Sequence, residues 1–250
     1  EKELNRILLV ASAYYDSKAS RNLLYFLDNK TTKKEFGIEC LGALYFPDTH
    51  LVNIAESCRL LADHPGIEVI KRKAPKEVDF VACASASKRF TSKEELEIGE
   101  IAGQLDFIGI PNSSPLKKDT VVHGSGYVIQ SNTEWVIGST YEQRPWSSAA
   151  ASEFNIEKNR KFLGNSPIYS RGKFRAHRCV SSDRDPVIGE LKKGQYFSTA
   201  HGSMGTISSP FAAELVVSQF LGLLPPLSKS GLATVAPDRF RNRQKKRGVK

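Results

Sequence analysis

The chain has 250 residues, 40% of them apolar and 25% charged, with a formal net charge of +9. That is an ordinary globular composition, large enough for one sizeable domain or two interleaved ones. No apolar run approaches the roughly 20 residues that a membrane span needs, and no signal peptide is visible. Cys40, Cys58, Cys83 and Cys179 are scattered, with no Cys-x-x-Cys pair. This argues against a zinc site or a disulfide scaffold and for reduced thiols in a cytoplasm.

In chain order, Ile7–Ala13 reads as a strand, and Asp16 or Ser17 caps a helix running through Leu27. The contiguous Leu23–Leu27 run leaves that helix either well buried or frayed into a strand. Lys30–Glu35 is a charged connector and Ile38–Phe46 a strand. A helix from Thr49 to Leu61 places Leu51, Ile54, Ala55, Cys58 and Leu61 on one face. His64-Pro65-Gly66 ends it, and Ile67–Lys71 reads as a strand. Val78–Ala84, apolar throughout, suits a buried parallel strand.

Four strands follow, at Gly103–Ile110, Thr120–His123, Gly126–Gln130 and Glu134–Ser139. Ser131-Asn132-Thr133 has hairpin chemistry, so this block reads as an antiparallel sheet. Tyr141–Ala151 is a loop and Ser152–Leu163 a helix. Ile168–His177 then leads into Arg178-Cys179-Val180-Ser181-Ser182-Asp183-Arg184-Asp185-Pro186. Gln195–Ala200 is a strand, and His201-Gly202-Ser203-Met204-Gly205 opens a helix from Thr206 to Leu221. That helix carries Ile207, Phe211, Leu215 and Phe220 on one stripe, with Pro210 near its start. A glycine turn feeding a helix N-terminus offers N–H groups and a positive dipole end to an anion. The spacing serves equally for a tight turn that holds nothing.

Residues 237–250 hold seven basic residues against Asp238. Arg239, Arg241, Arg243, Lys245, Lys246 and Arg247 are candidate contacts for nucleic-acid phosphates. The competing reading is a solvated tail without a partner. There is no phosphate loop, no His-Glu-x-x-His, no Gly-x-Ser-x-Gly and no Gly-x-Gly-x-x-Gly. Each of the five histidines reads as a satisfied core or surface residue.

Taken together, Ser182–Gly189, Tyr196-Phe197 and the His201–Gly205 turn resemble FAD-dependent amine oxidoreductases of the D-amino-acid oxidase and glycine oxidase superfamily. Within it, Gly126–Ile129 followed by Trp135–Tyr141, and Ala236–Phe240 with the basic tail, are most similar to one group. That group is the FAD-dependent half of the bifunctional enzymes of tRNA 5-methylaminomethyl-2-thiouridine biosynthesis. The chain departs from the pattern at Ala86, Ala102 and Met204, and in lacking the Gly-x-Gly-x-x-Gly unit.

The resemblance implies an α/β (α+β) fold: a flavin amine-oxidoreductase fold truncated at its ADP-binding βαβ unit. Its antiparallel substrate-domain sheet (residues 1–66 and 99–181) is interleaved with FAD-binding-domain parts (67–98 and 182–236), and 237–250 form a tail. The resemblance further implies FAD as cofactor, with hydride taken from the carbon beside an amine. It places Arg178 on the substrate carboxylate and Gly202, Ser203, Met204 and Gly205 at the flavin ring. Tail contacts with tRNA follow from it, as does a separate ADP-binding half. The implied reaction is oxidative removal of a carboxymethyl group from modified wobble uridine. A D-amino-acid dehydrogenase or glycine oxidase-like enzyme, and a non-catalytic remnant with an RNA-binding tail, are the alternatives.

Overall fold

A computed structural model describes residues 2–15, 23–71, 78–85, 96–117, 120–131, 133–246 and 248. Ala86 and Arg247 lie outside them. The chain divides into two compact units, Glu1–Asn53 with Gln104–Thr140 and Trp146–Arg175, and Ile54–Gly103 with Tyr141–Pro145 and Ala176–Lys250.

The first unit opens with helix α1 (Lys2–Tyr15) where a strand is expected. Within Ile7–Ala13 the apolar residues are contiguous, which does not separate helix from strand. Leu4, Ile7 and Ala11 nevertheless fall at helical spacing and turn inward, leaving Leu9 exposed. Strand β1 (Tyr25–Asp28) replaces the end of the expected helix and pairs antiparallel with β2 (Gly42–Tyr45). The charged connector is in fact α2 (Asn29–Phe36). Asp28 caps it by accepting from the Thr31 N–H at 2.7 Å, and left-handed Gly37 closes it.

A five-stranded sheet runs in the order β5-β6-β7-β4-β8. Its members are β4 (Ile98–Ile108), β5 (Val122–His123), β6 (Tyr127–Gln130), β7 (Trp135–Gly138) and β8 (Ser170–Ser181). The β5–β6, β6–β7 and β7–β4 pairs are antiparallel, as expected. Register pairs Val128 with Ile137 and Ile108 with Trp135, putting all four on the face that meets Phe162 and Leu163. Those two residues lie in α5 (Arg160–Leu163), which follows α4 (Ser148–Lys158).

Helix α4 starts four residues before the expected Ser152 because its inner face is polar, so hydrophobic periodicity does not mark it. Ser148, Ser152 and Asn155 share a face and meet Gln104 and Asp106, which alternate onto one side of β4. Asn155 Nδ2 donates to Asp106 Oδ2 at 2.8 Å and to the Gln104 carbonyl at 3.0 Å. Ser148 Oγ donates to Gln104 Oε1 at 2.9 Å, and Arg175 Nη1 reaches the same oxygen at 3.2 Å. Ser147 caps the helix through the Ala150 N–H.

In the second unit, α3 (Ile54–Ala62) buries none of its residues, and residues 49–53 before it are not helical. The expected Ile67–Lys71 strand is absent. Strand β3 (Val81–Cys83) pairs parallel with β10 (Gln195–Thr199), as expected, but stands at a sheet edge with Val81 43% exposed. On its other side β10 pairs antiparallel with β9 (Val187–Lys192). Helix α6 (Gly205–Leu221) covers this sheet with Ala212, Leu215 and Val216. The predicted stripe is only partly right: Leu215 is buried, whereas Ile207 is 71% exposed. Pro210 falls inside the helix, in its second turn. The chain continues through α7 (Lys229–Val235) and α8 (Arg239–Lys246).

Residues 237–246 are not a loose tail. Phe240 is fully buried in a core with Leu96, Val187, Phe197 and Ala200. Among the described residues no helix is long and apolar enough to cross a membrane. All four cysteines are free thiols.

Candidate active site

The end of β8 and the glycine turn after β10 are adjacent in the second unit. The Gly202 N–H donates to the Cys179 carbonyl at 3.0 Å, and Val180 forms a bridge with His201. Sequence order separates these segments, and the fold brings them together. Arg178 and Val180 lie on the same side of β8 because side chains alternate along a strand. A Cβ at Gly202 would stand 3.5 Å from Val180 Cγ1, so the turn lies close against that side.

The turn is held from within. Ala200 and Gly202 take left-handed φ values of 59° and 58°, bracketing His201. The Ser208 hydroxyl donates to the Met204 carbonyl at 2.9 Å and therefore accepts from His201 Nδ1 at 2.8 Å. His201 Nε2 is then left to accept from the Ser198 hydroxyl at 3.1 Å. Burial pushes the imidazole below its usual titration range, consistent with this neutral tautomer. The histidine is a strap between β10 and α6, not a free acid or base.

Within the turn, the N–H groups of Met204, Ile207 and Ser208 bond to turn carbonyls. Among the described residues, none accepts from the N–H groups of Ser203, Gly205 or Thr206. These three mark the positive end of the 17-residue helix α6. Ser203 and Met204 are exposed.

Arg178 is seated by a glycine. A Cβ on Gly103 would stand 2.0 Å from Arg178 Nη1 and 2.7 Å from its guanidinium carbon. The guanidinium therefore lies against β4 at Gly103, and a side chain there would displace it. Its carbon is also 5.6 Å from the centre of the Tyr141 ring. Gly103→Ala should leave the melting temperature nearly unchanged, because a side-chain end gives way easily. It should nonetheless weaken carboxylate binding about tenfold by moving the guanidinium; isothermal titration with a carboxylate substrate checks this.

Arg239, read as a phosphate contact, is 9% exposed. Its Nε and Nη2 both donate to Asp183 at 2.9 Å, and other N–H groups reach the carbonyls of Asp185, Val235 and Ala236. Arg243 Nη2 meets the same carboxylate at 2.6 Å. The inward face of α8 is thus committed to protein contacts, while Arg241, Lys245 and Lys246 are exposed. A cavity of about 500 Å³ beside α7 and α8 is lined in part by Ala233, Ala236, Asn242 and Lys246. It belongs to the helix corner and not to Arg178. The sequence reading missed Gly103 and Tyr141 beside Arg178.

The fold is that of the amine oxidoreductases anticipated from the motifs. Glycine oxidase from Bacillus cereus superposes on 91% of this chain with a TM-score of 0.69 at 17% identity, over 72% of its own length. L-amino acid deaminase from Proteus myxofaciens, in complex with anthranilate, gives 0.63 over 96% of this chain and 73% of its own, at 13% identity. In sequence the chain is similar to a particular relative, the tRNA 5-methylaminomethyl-2-thiouridine biosynthesis bifunctional protein MnmC. It is 26% identical to that of Ectopseudomonas mendocina over 99% of this chain, and 25% identical to that of Pseudomonas aeruginosa. The match covers 46% of each relative, so the chain spans just under half of their length. No protein-family model matches.

Proposed function

We propose that this chain is the catalytic part of an FAD-dependent oxidoreductase that removes a carboxymethyl group from modified wobble uridine in tRNA, acting in the cytoplasm. The observation that carries this reading is the adjacency of Arg178 to the His201–Gly205 turn through the Gly202–Cys179 hydrogen bond. The similarity to MnmC along the whole chain supports the tRNA substrate.

The fit to a flavin is tested by the turn itself. Its three N–H groups, the backbone of Gly202 and Gly205, and the α6 dipole suit an electron-rich ring edge. Bound flavin would supply hydride acceptance from the carbon beside the substrate amine. Arg178 pairs bidentately with the substrate carboxylate and fixes which C–H is presented. Ser203 and Met204 would hold the ring edge, and neutral His201 keeps the turn in shape. Nothing in these 250 residues matches a pyrophosphate-binding Gly-x-Gly-x-x-Gly, and we assign that end of the cofactor to a separate ADP-binding half.

Titrating the purified protein with FAD, with the ADP-binding half present, tests this directly. Quenched flavin fluorescence and a shifted visible spectrum are expected, and an unaltered flavin spectrum would overturn the reading. Arg241, Lys245 and Lys246 serve as phosphate contacts on the outward side of α8. Changing all three to glutamine should make the salt dependence of tRNA binding shallower by roughly two in log–log slope. An unchanged slope would favour the amino-acid oxidase alternative, which needs no such contacts.

A further inference from the structure

We propose that the groove between α7 and α8 takes an unpaired nucleotide of an RNA, with the base inside and its phosphate at Lys246. The groove holds about 500 Å³, a volume typical of small-molecule sites. Asp238, Asn242 and Lys246 follow one another at i, i+4 and i+8 and share one side of α8. An acid, an amide and an amine thus form a single stripe along the groove, with Ala233 and Ala236 of the α7 end in the wall beside it.

The stripe changes character along its length. At one end Asn242 Nδ2 donates to Asp238 Oδ2 at 3.1 Å. Among the described residues, nothing donates to Asp238 Oδ1 or to Asn242 Oδ1, which leaves acceptors for the N–H groups of a base edge. Lys246 stands two turns on, about 12 Å along the helix axis. It is exposed, and among the described residues no carboxylate lies within ion-pair distance of it. A track for phosphate alone would be cationic throughout, whereas acceptors at one end and an ammonium at the other fit a base joined to its phosphate. Arg239 and Arg243 also line the groove, each fixed on Asp183, and a fixed guanidinium plane is a surface on which an unpaired base stacks. The small side chains of Ala233 and Ala236 leave room for that base. Arg241 and Lys245, exposed beside the stripe, attract the neighbouring phosphates.

The inference rests on the polynucleotide-substrate reading, and the experiment separates the two. The full chain is titrated with a stem-loop RNA and with a blunt duplex RNA of equal charge, over a range of salt. Ala233→Leu fills the groove from an exposed position and removes no charge. It should weaken the stem-loop about tenfold, leave the duplex unaffected and keep the log–log salt slope unchanged. Asn242→Ala, also at an exposed position, should lower stem-loop binding with the same selectivity. Unchanged stem-loop binding in either variant would overturn the nucleotide site alone. Equal loss for stem-loop and duplex would also overturn it, by making the groove part of a backbone track. A wild-type protein that binds neither RNA would overturn the polynucleotide reading, and this inference with it.

Discussion

Arg178→Ala should lower kcat/KM for a carboxylated amine about 100- to 1,000-fold while leaving the fold intact. The magnitude follows from removing a charge-assisted, bidentate contact that also orients the reacting C–H. Arg178 is half-buried and belongs to none of the three hydrophobic clusters. Arg178→Lys should recover only part of the loss, since a point charge on a flexible stem does not reproduce a planar fork. Steady-state kinetics with circular dichroism as a folding control distinguish this from general damage. A variant with unchanged kcat/KM would remove Arg178 from the site.

Asp183→Ala should destabilise the second unit by about 3 kcal/mol, seen as a drop of roughly 6–12 °C in melting temperature. Three guanidinium nitrogens and a hydroxyl converge on this carboxylate, and Arg239, with its side chain 7% exposed, would be left without a counter-charge. Burial alone would raise the pKa of Asp183. The hydrogen bonds from Arg239, Arg243 and Ser181 outweigh it and hold the carboxyl well below the usual carboxylate range. The native pKa is therefore below the unfolded value of about 3.9, so the stabilisation is complete above that pH. It is lost progressively as pH falls from there toward the depressed native value. Asp183→Ala should abolish this acid dependence without altering the pH profile near neutrality.

The same anchor changes how the C-terminus must be probed. Deleting Arg239–Lys250 would remove Phe240 from its core and Arg239 from Asp183, collapsing the turn that carries Asp183. Such a deletion cannot separate a tRNA substrate from an amino-acid substrate. Charge removal at Arg241, Lys245 and Lys246 can, because those side chains face solvent.

Some of this organisation is legible in the sequence for clear reasons. The antiparallel block is readable because β6 and β7 are short runs of β-prone residues separated by a Ser-Asn-Thr sequence of hairpin character. The adjacent grip and turn are readable only through their motif, since Arg178 lies on β8 and His201 in the turn after β10. The start of α4 is hidden because its inner face is polar, and α1 because its apolar run is contiguous. Docking of α8 is hidden for another reason. Seven basic residues in fourteen read as a solvated run, although Arg239 and Arg243 turn inward to a carboxylate 56 and 60 residues away and Phe240 enters a hydrophobic core. Gly103 and Tyr141 meet Arg178 only through tertiary contacts, which no local pattern encodes.

The most direct test of the account is the product of a single incubation. The protein, supplied with FAD, is mixed with tRNA carrying carboxymethylaminomethyl-uridine, and the nucleosides are analysed by mass after digestion. The account predicts conversion to the aminomethyl nucleoside, abolished by Arg178→Ala. An unaltered carboxymethylaminomethyl nucleoside, with glycine or a D-amino acid consumed by the same preparation, would contradict it.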